Sequence, residues 1–417
     1  MTRKEWSRRD MLKSAGVGAV ALAAGAVVRE QLSRYVVGVR SDAGATAAAS
    51  VSDTRPLRID LTAHTPWRLV GGTFSRARAE SLASRDDVAF AQPDRWLEVG
   101  PDTAGGTDGE AASDAGPDAA DGQTVPWGVD RIGATALREA GRTAAGADVG
   151  VIDSGIDETH PDLAPNVAPP SDADAHNAWV ACEDGDCAHP WSDDGGHGTH
   201  VSGTVAAADG PDGVVGVAPG ATLHALKVCG AANRCRTSAV AEAIRYAGDH
   251  GWDVANLSLG SPRPSPALRA AGEYALEAGV VPVAAAGNRG GPDSVSYPAA
   301  YDEFVGVSAT TADDGIARFS SRGDGVDIAA PGAEIYGPAP DGYRTLSGTS
   351  MAAPHVAGAV AHVVADGVPA AAAVERLRET AADLGVPAAE QGAGLVDVAA
   401  ALGYDRDDGT DRQTATV

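Results

Sequence analysis

The sequence predicts an α/β protein built in three layers, with a mostly parallel central sheet covered by helices on both faces and a small α+β unit ahead of it. Two observations predict the sheet. Six short runs are almost continuously apolar, and amphipathic segments such as "TSAVAEAIRYAGDHG" and "PALRAAGEYALEAG" lie between several of them. Strands buried on both faces have this apolar character, and strands that alternate with helices form parallel sheets. The runs are "DVGVIDSG", "LHALKV", "DVANLSLG", "VVPVAAAGN", "FVGVSAT" and "VDIAAPG".

The N-terminal segment predicts export. Paired arginines, Arg8 and Arg9, precede the apolar stretch "AGVGAVALAAGAVV", which is shorter than the about 20 apolar residues of a membrane span. This arrangement is typical of a twin-arginine export signal, and a basic N-terminus arising by chance is the alternative. We therefore expect residues 1–33 to be the signal of a secreted protein that has no stable membrane span in its mature form.

Composition divides the rest of the chain into four segments. Residues 34–99 combine strand patterns ("RYVVGVR", "LRIDL") with a helix that runs into a strand ("SRARAESLASRDDVAFAQPD"), which predicts the small α+β unit. Residues 100–122 contain only Gly, Ala, Ser, Thr, Pro, Asp and Glu, so they predict an exposed, disordered linker that is open to proteolysis. Residues 123–403 form the sheet domain, and residues 404–417 predict a disordered acidic tail.

The charge of the chain is strongly negative, with 57 acidic against 32 basic residues and a formal net charge of −25. This balance argues against nucleic-acid binding, which needs a basic face. The chain is either simply a very soluble acidic protein or one adapted to high salt, where charge repulsion is screened. Lysine occurs only at Lys4, Lys13 and Lys227. This scarcity favours salt adaptation, since adaptation to heat tends to enrich lysine.

The four cysteines form two local pairs, Cys182 with Cys187 and Cys229 with Cys235. Neither spacing is the C-x-x-C of a zinc ribbon, so no metal site is predicted from them. A disulfide within each pair is the simplest of the three possible pairings. Free thiols and cross-pairing remain open from the sequence alone.

The stretch "SGTSMAAPHVAG", residues 347–358, places hydroxyl groups and glycines ahead of a helix with small side chains. One interpretation is a tightly packed helix that Thr349 or Ser347 caps, with Pro354 tolerated in its first turn. The other is a nucleophile, Ser350, held at a helix N-terminus where backbone N–H groups favour developing negative charge.

A serine nucleophile needs a base, an acid that orients the base, and a donor for the oxyanion. His197 in "GGHGTHVSGTVA" lies between glycines ahead of a small-residue helix, whereas His200 is expected to be a packed, hydrogen-bonded residue. Asp153 in "VGVIDSGID" ends an apolar strand, where a carboxylate needs a partner such as an imidazole N–H. Asn288 in "AAAGNRG" ends another strand and is either a turn residue or the oxyanion donor.

The blocks "DSGID", "GGHGTHVSGTV", "AAAGN" and "GTSMAAPHVAG" resemble, in sequence and in chain order, four motifs of the subtilisin-type serine proteases, the subtilase family. The resemblance covers the whole sheet domain. It implies that Ser350 attacks the scissile carbonyl, that His197 serves as general base and then acid, and that Asp153 orients His197. It also implies an oxyanion hole made by Asn288 and the backbone N–H of Ser350.

Two other functions are less consistent with the sequence. The first is a catalytically silent homologue that serves as a binding or surface scaffold. Such a protein is expected to lack at least one of the four residues just named, but all four are present. An esterase of the α/β-hydrolase type needs a G-x-S-x-G motif and the chain order Ser, Asp, His. The block "GTSMA" and the order found here provide neither.

The resemblance also implies a cleft that pairs with an extended peptide. The strand that lines the primary specificity pocket is matched by Ser258, Leu259 and Gly260. The second pairing edge is matched by Asn233 and Arg234, and the substrate-binding residues Gly287 and Ser296 flank the pocket. A Cys229–Cys235 disulfide would then fix the second edge.

A calcium site is implied as well. The matching positions are Gln123, Asp162, Ala208, Asp212 and Val214. Gly210 stands where the family usually has a ligating asparagine, and Asp209 or Asp212 would replace it with the hard oxygen ligands that calcium prefers. No organic cofactor is expected.

Residues 34–99 resemble the family's inhibitory, chaperone-like propeptide, and "VAFAQPD" resembles its closing strand. We therefore expect a zymogen that cuts its own linker near Gly122 and is inhibited by its own propeptide. The expected partners are polypeptide substrates, and we expect a monomer. The acidic charge and the export signal together resemble those of the haloarchaeal halolysins.

Overall fold

The structure, a computed structural model, describes residues 32–99, 103–104, 122–182 and 187–405. The predicted export signal up to residue 31, most of the predicted linker, and the predicted tail from residue 406 lie outside the described residues. Within the described parts of the chain, no single helix is both long and apolar enough to cross a membrane.

The small unit is an antiparallel sheet with two helices. Its elements are β1 (Leu32–Val39), α1 (Asp42–Ser50), β2 (Leu57–Asp60), β3 (Arg68–Ser75), α2 (Arg76–Ala83) and β4 (Val88–Pro93). The strands lie in the order β2-β3-β1-β4. The sequence predicts β1, β2, α2 and β4, but it does not predict α1 and β3. The reason is local, since α1 is almost entirely alanine, glycine and hydroxyl residues and β3 contains two consecutive glycines.

The large domain is built on a seven-stranded parallel sheet. Its strands are β7 (Asp148–Asp153), β8 (Asn177–Ala178), β9 (Thr222–Lys227), β11 (Val254–Leu257), β12 (Val281–Ala285), β13 (Val305–Thr310) and β14 (Ile328–Pro331). They lie in the order β14-β13-β12-β11-β7-β9-β8, and every pair is parallel. The six apolar runs are therefore confirmed as strands. Their continuous hydrophobicity arises because the sheet is buried on both faces.

Helices cover both faces, which confirms the predicted three layers. The helices of this domain are α3 (Trp127–Arg131), α4 (Ala134–Glu139), α5 (His197–Ala206), α6 (Thr237–His250), α7 (Pro266–Glu277), α8 (Thr349–Ala365), α9 (Ala370–Glu379), α10 (Ala388–Gln391) and α11 (Val398–Ala401). One apolar core joins the sheet to α5, α8 and α9. A second core joins its other face to α6 and α7, and it also takes in the sheet of the small unit.

Two smaller sheets lie at the carboxyl edge of the large one. The strand β5 (Trp96–Glu98) pairs antiparallel with β10 (Arg234–Arg236). The hairpin of β15 (Ile335–Ala339) and β16 (Gly342–Ser347) pairs with the two-residue strand β6 (Thr103–Ala104). Residues of the predicted linker and of the small unit thus reach the sheet domain at two separate strands.

The helix α8 crosses the interior of the molecule. Residues 349–363 are all buried, and α8 packs against α5, α9 and the strands β11 to β14. Its small residues make this possible. A Cβ on Gly358 would lie 2.7 Å from the Cβ of Val217, so only glycine fits there.

Both predicted local disulfides are present in the structure, Cys182–Cys187 and Cys229–Cys235. The second joins the loop after β9 to β10.

Candidate active site

Ser350 lies in the first turn of α8, as the sequence predicts, but the predicted cap is wrong. Gly348 is the N-cap and no side chain caps the helix. The Ser347 hydroxyl instead accepts a hydrogen bond from the Glu334 backbone N–H at 2.8 Å, and Thr349 bonds to the loop after β12. The N-cap residue therefore places no side chain over the first turn of α8, which suits a site that receives an oxyanion.

Pro354 lies in the sixth position of α8, beyond the predicted first turn. Proline has no N–H, so it cannot bond to the carbonyl of Ser350 four residues earlier. The Ser258 hydroxyl, just after β11, donates to that carbonyl at 2.8 Å instead. In return, the Ser350 hydroxyl donates to the Ser258 carbonyl at 3.3 Å. These two bonds fix the start of α8 against the carboxyl end of β11.

Asp153, the last residue of β7, orients His197, the first residue of α5. Asp153 Oδ1 and His197 Nδ1 are 2.8 Å apart, and the side chains are 0% and 2% exposed. The backbone N–H of Ser154 donates to the same Oδ1 at 2.7 Å. These two donors satisfy the buried carboxylate oxygen, and the contact fixes the tautomer with the proton on Nδ1. His197 Nε2 is then the basic nitrogen.

Asn288 follows β12, and Thr349 sets its orientation. Asn288 Oδ1 accepts from the Thr349 backbone N–H at 2.9 Å and from the Thr349 hydroxyl at 2.8 Å. The Thr349 hydroxyl itself accepts from the Gly287 backbone N–H at 3.0 Å. With its oxygen held, Asn288 has its amide N–H₂ available to the cleft that it lines together with Ser350. The sequence does not predict this role of Thr349, for which adjacency to Ser350 is the only signal.

Burial lowers the pKa of several histidines outside the site. His200 Nε2 lies 3.1 Å from the Ile335 carbonyl, and burial lowers its pKa to about 4. Burial also lowers the pKa of His355 and His362, each to about 4. They are packing residues, as the sequence predicts for His200.

A cleft runs from Ser350 between two edges of backbone. Four of the predicted substrate-binding residues line this cleft, namely Leu259, Gly260, Gly287 and Ser296. The other residues of its walls are Glu98 of β5, Ser261, Pro262, Ala285, Asn288, Arg289, Thr349 and Ser350. Ser258 holds α8, as described above.

The two edges already pair with a strand of this chain. Glu98 exchanges both backbone hydrogen bonds with Gly260, each at 3.0 Å, and its other side pairs with Arg234. The Val99 N–H donates to the carbonyl of Asn233 at 3.2 Å. Asn233 has a φ of 53°, a conformation that asparagine tolerates. β5 therefore lies where an extended peptide would pair with both edges.

A buried ion pair contacts the chain just after β7. The Lys227 ammonium donates to the carbonyl of Ser154 and to the Asp194 carboxylate, and both charged side chains are 0% exposed. Lys227 lies beside Asp153 in the register of β7 and β9. In the sequence, Lys227 stands out only because lysine is rare.

The predicted calcium residues come from three segments of the chain that meet at the loop of residues 208–214. Asp162 accepts from the Val214 N–H at 2.9 Å, and Gln123 donates to the Ala208 carbonyl at 3.2 Å. Gly213 leaves space at the carboxylate, since a Cβ there would lie 2.2 Å from Asp162 Oδ1. The donors are a carboxylate, an amide and carbonyls, all hard oxygens, so their chemistry fits calcium.

Arg138 lies at the rim of the same loop. It donates to Gln123 Oε1 at 3.1 Å and to Asp209 Oδ1 at 3.0 Å. A bound ion would therefore require the amide of Gln123 to turn its oxygen inward. Asp212 is exposed at the surface of the loop.

The comparisons with known proteins agree with this geometry. The Subtilase family profile matches residues 144–395 of the 417. Subtilisin BL of Lederbergia lenta is 46% identical over 243 residues, which cover 58% of this chain and 84% of that protein. Subtilisin DY of Bacillus licheniformis is 40% identical over 285 residues, which cover 67% of this chain and 99% of that protein. The chain therefore belongs to the subtilase family, and it is a serine endopeptidase.

Proposed function

We propose that the enzyme hydrolyses polypeptides through an acyl-enzyme formed on Ser350. The Ser350 hydroxyl gives its proton to His197 Nε2 and attacks the scissile carbonyl. His197 then passes this proton to the leaving amine, and a water deprotonated by His197 releases the acyl group. Asp153 stabilises the imidazolium and holds the ring in place. The buried 2.8 Å contact between Asp153 and His197 is the observation that carries this assignment.

The tetrahedral oxyanion would bind between the backbone N–H of Ser350 and the amide of Asn288. Both donors are fixed before substrate binds, because Ser258 holds the start of α8 and Thr349 holds Asn288. Preorganised donors stabilise the transition state without rearrangement of the site.

The test is Ser350→Ala, with Ser171→Ala as a matched control at an exposed position. Casein hydrolysis should be lost in the first variant and kept in the second. Processing of the full chain, followed on gels, should also stop only in Ser350→Ala. Equal activity of Ser350→Ala and wild type would contradict the proposal. An inactive wild type would instead favour the scaffold function.

We propose that residues 34–99 are the inhibitory propeptide. Its end caps two helices of the sheet domain. Asp94 accepts from the Ser238 N–H at the start of α6 at 2.9 Å, and Gln92 accepts from the Ala267 N–H at the start of α7 at 3.1 Å. Negative and polar acceptors stabilise helix N-termini. These contacts direct β5 into the cleft, where it competes with substrate.

We propose that self-processing cuts the linker, with the final N-terminus near Gly122. The backbone pairs with the cleft at Glu98, and further along the chain Thr103 and Ala104 pair with Ser347 and Leu346 of β16. This supports a first cut between those two pairings, followed by trimming towards Gly122. N-terminal sequencing of early and late products would distinguish the two cuts. A single product that begins near Gly122 at all times would exclude the first one.

We propose that calcium binds where Gln123 and Asp162 meet the loop of residues 208–214 and stabilises that loop. In the Ser350→Ala protein, which cannot digest itself, millimolar calcium should raise the melting temperature above its value in a chelator. Asp162→Asn should abolish this difference, while Arg138→Ala should enlarge it by freeing Gln123. An unchanged melting temperature in all three proteins would contradict the proposal.

We propose that the protein is exported by the twin-arginine route and works in high salt as a monomer. The scarcity of lysine supports the salt proposal, since the lysine of the sheet domain is buried at Lys227. Activity should rise from low to molar potassium chloride. Replacing Arg8 and Arg9 by lysines should block export.

A further inference from the structure

β10 carries two arginines on one face of the strand. Arg234 and Arg236 are two residues apart, so their side chains point to the same side. Cys235 between them is buried against the protein. We call Arg234 and Arg236 the arginine clamp.

The arginine clamp holds the indole of Trp96. The guanidinium carbon of Arg236 lies 3.6 Å from the centre of the Trp96 ring, and that of Arg234 lies 4.5 Å from it. A guanidinium stacks on an aromatic face by both planar contact and cation–π attraction. Trp96 is the residue of β5 directly opposite Arg236.

Arg236 also binds the backbone of the same segment. Its Nη1 donates to the carbonyl of Asp94 at 3.0 Å. It therefore contacts a side chain and a main-chain group of a peptide that lies along β10. The contact to the carbonyl does not depend on the sequence of that peptide, whereas the contact to the ring does.

We propose that the arginine clamp is a remote specificity subsite for an aromatic side chain of the substrate. The site is defined by register. It receives the residue two positions before the one that pairs with Gly260, as Trp96 precedes Glu98. An extended substrate that replaces β5 would place an aromatic residue on the same two guanidinium groups. This proposal rests on the proposed function, since it assumes that substrates occupy the place of β5.

Two contacts of this kind should favour an aromatic over an aliphatic residue by about fivefold to twentyfold in kcat/KM. The preference should survive high salt, because the groups are in direct contact. Recognition of an acidic side chain by the same arginines would weaken with salt, since the Debye length falls to about 3 Å at 1 M.

The test uses the processed enzyme and a series of quenched fluorescent peptides. The peptides share Leu-Glu-Val, the sequence of residues 97–99, and differ only in the preceding residue, which is Trp, Phe, Leu, Ala or Glu. Mass spectrometry checks that all are cut at the same bond. The Trp-to-Leu ratio of kcat/KM should be about tenfold in wild type and should fall towards one in the double variant Arg234→Ala/Arg236→Ala. The single variant Arg236→Lys keeps the charge but not the planar stack, so its Trp-to-Leu ratio should lie between those of the wild type and the double variant.

Arg376→Ala, on the distant helix α9, is the matched control and should leave the ratio unchanged. Equal hydrolysis of the Trp and Leu peptides by wild type would overturn the proposal. So would a preference for Glu that declines with salt, or a ratio that the double variant keeps. Affinities of the same peptides for Ser350→Ala protein test the clamp without catalysis. An enzyme that cuts no peptide but still binds the Trp peptide about tenfold more tightly would refute the proposed function and leave the clamp supported.

Discussion

Replacing Thr349 by valine should slow catalysis without weakening substrate binding. The change keeps the shape of the side chain and removes only its hydroxyl. Asn288 Oδ1 then loses the 2.8 Å bond from that hydroxyl and keeps the 2.9 Å bond from the Thr349 N–H. The amide of Asn288 stays in place but with one support instead of two.

The size of the effect follows from that single bond. A hydrogen bond of ordinary strength contributes about 1 kcal/mol, so kcat should fall about fivefold. KM should change little, because the oxyanion contact forms only in the transition state. The Gly287 N–H also loses its acceptor, which should cost about 1 kcal/mol or somewhat more in the free energy of unfolding.

The assay is steady-state hydrolysis of a peptide amide, with the concentration of active enzyme set by active-site titration. Thr349→Ser keeps the hydroxyl and should stay within about twofold of wild type. The same valine change should have no further effect on kcat in an Asn288→Ala background, since the two residues act as one unit. An equal loss of kcat in both backgrounds, or a loss confined to KM, would refute this account of Thr349.

Two further predictions concern stability, and both are measured by denaturation of Ser350→Ala protein at fixed salt. Lys227→Met leaves the buried Asp194 carboxylate without its ammonium, so it should destabilise the fold by about 3–5 kcal/mol, and Asp194→Asn in addition should recover part of the loss. A loss below about 1 kcal/mol for the single change would exclude this role. Acid should also destabilise the fold, because four histidines have a folded pKa of about 4 against 6.5 when free. Their contribution to stability is complete above pH 6.5 and is lost as the pH falls towards 4, at about 1.4 kcal/mol per pH unit for each histidine. They are His176, His200, His355 and His362. His362→Gln should reduce this slope by about one quarter, and an unchanged slope would show that its ring does not contribute.

The sequence predicts the large sheet well because each strand is apolar on both faces. It also predicts which residues gather at the site, since Asp153, Ser258 and Asn288 all lie at or just after the carboxyl ends of neighbouring strands. In parallel sheets these ends meet at one edge. Hydrophobic periodicity does not predict α1 and β3, because their alanines and glycines give no clear apolar pattern. The formation of these two elements depends on tertiary packing.

The support of the catalytic residues could not be predicted in the same way. Thr349 is a reasonable helix cap by residue type, and only the position of Asn288 shows why its hydroxyl is used elsewhere. Trp96 and Arg236 lie far apart in sequence and meet only because β5 pairs with β10. Such roles depend on long-range contacts rather than on local residue preferences.

The helix α8 has a consequence for engineering. Its first turn carries Ser350, the proposed nucleophile, and residues 349–363 have no solvent-facing side. In a mutant library that randomises α8 to change specificity, most variants would therefore fail to fold, because nearly any larger side chain there collides with the interior. β10 and its disulfide-closed loop offer the opposite situation, with exposed side chains on a fixed backbone. Randomising the loop side chains while keeping both cysteines would separate the choice of substrate from the chemistry that cuts it.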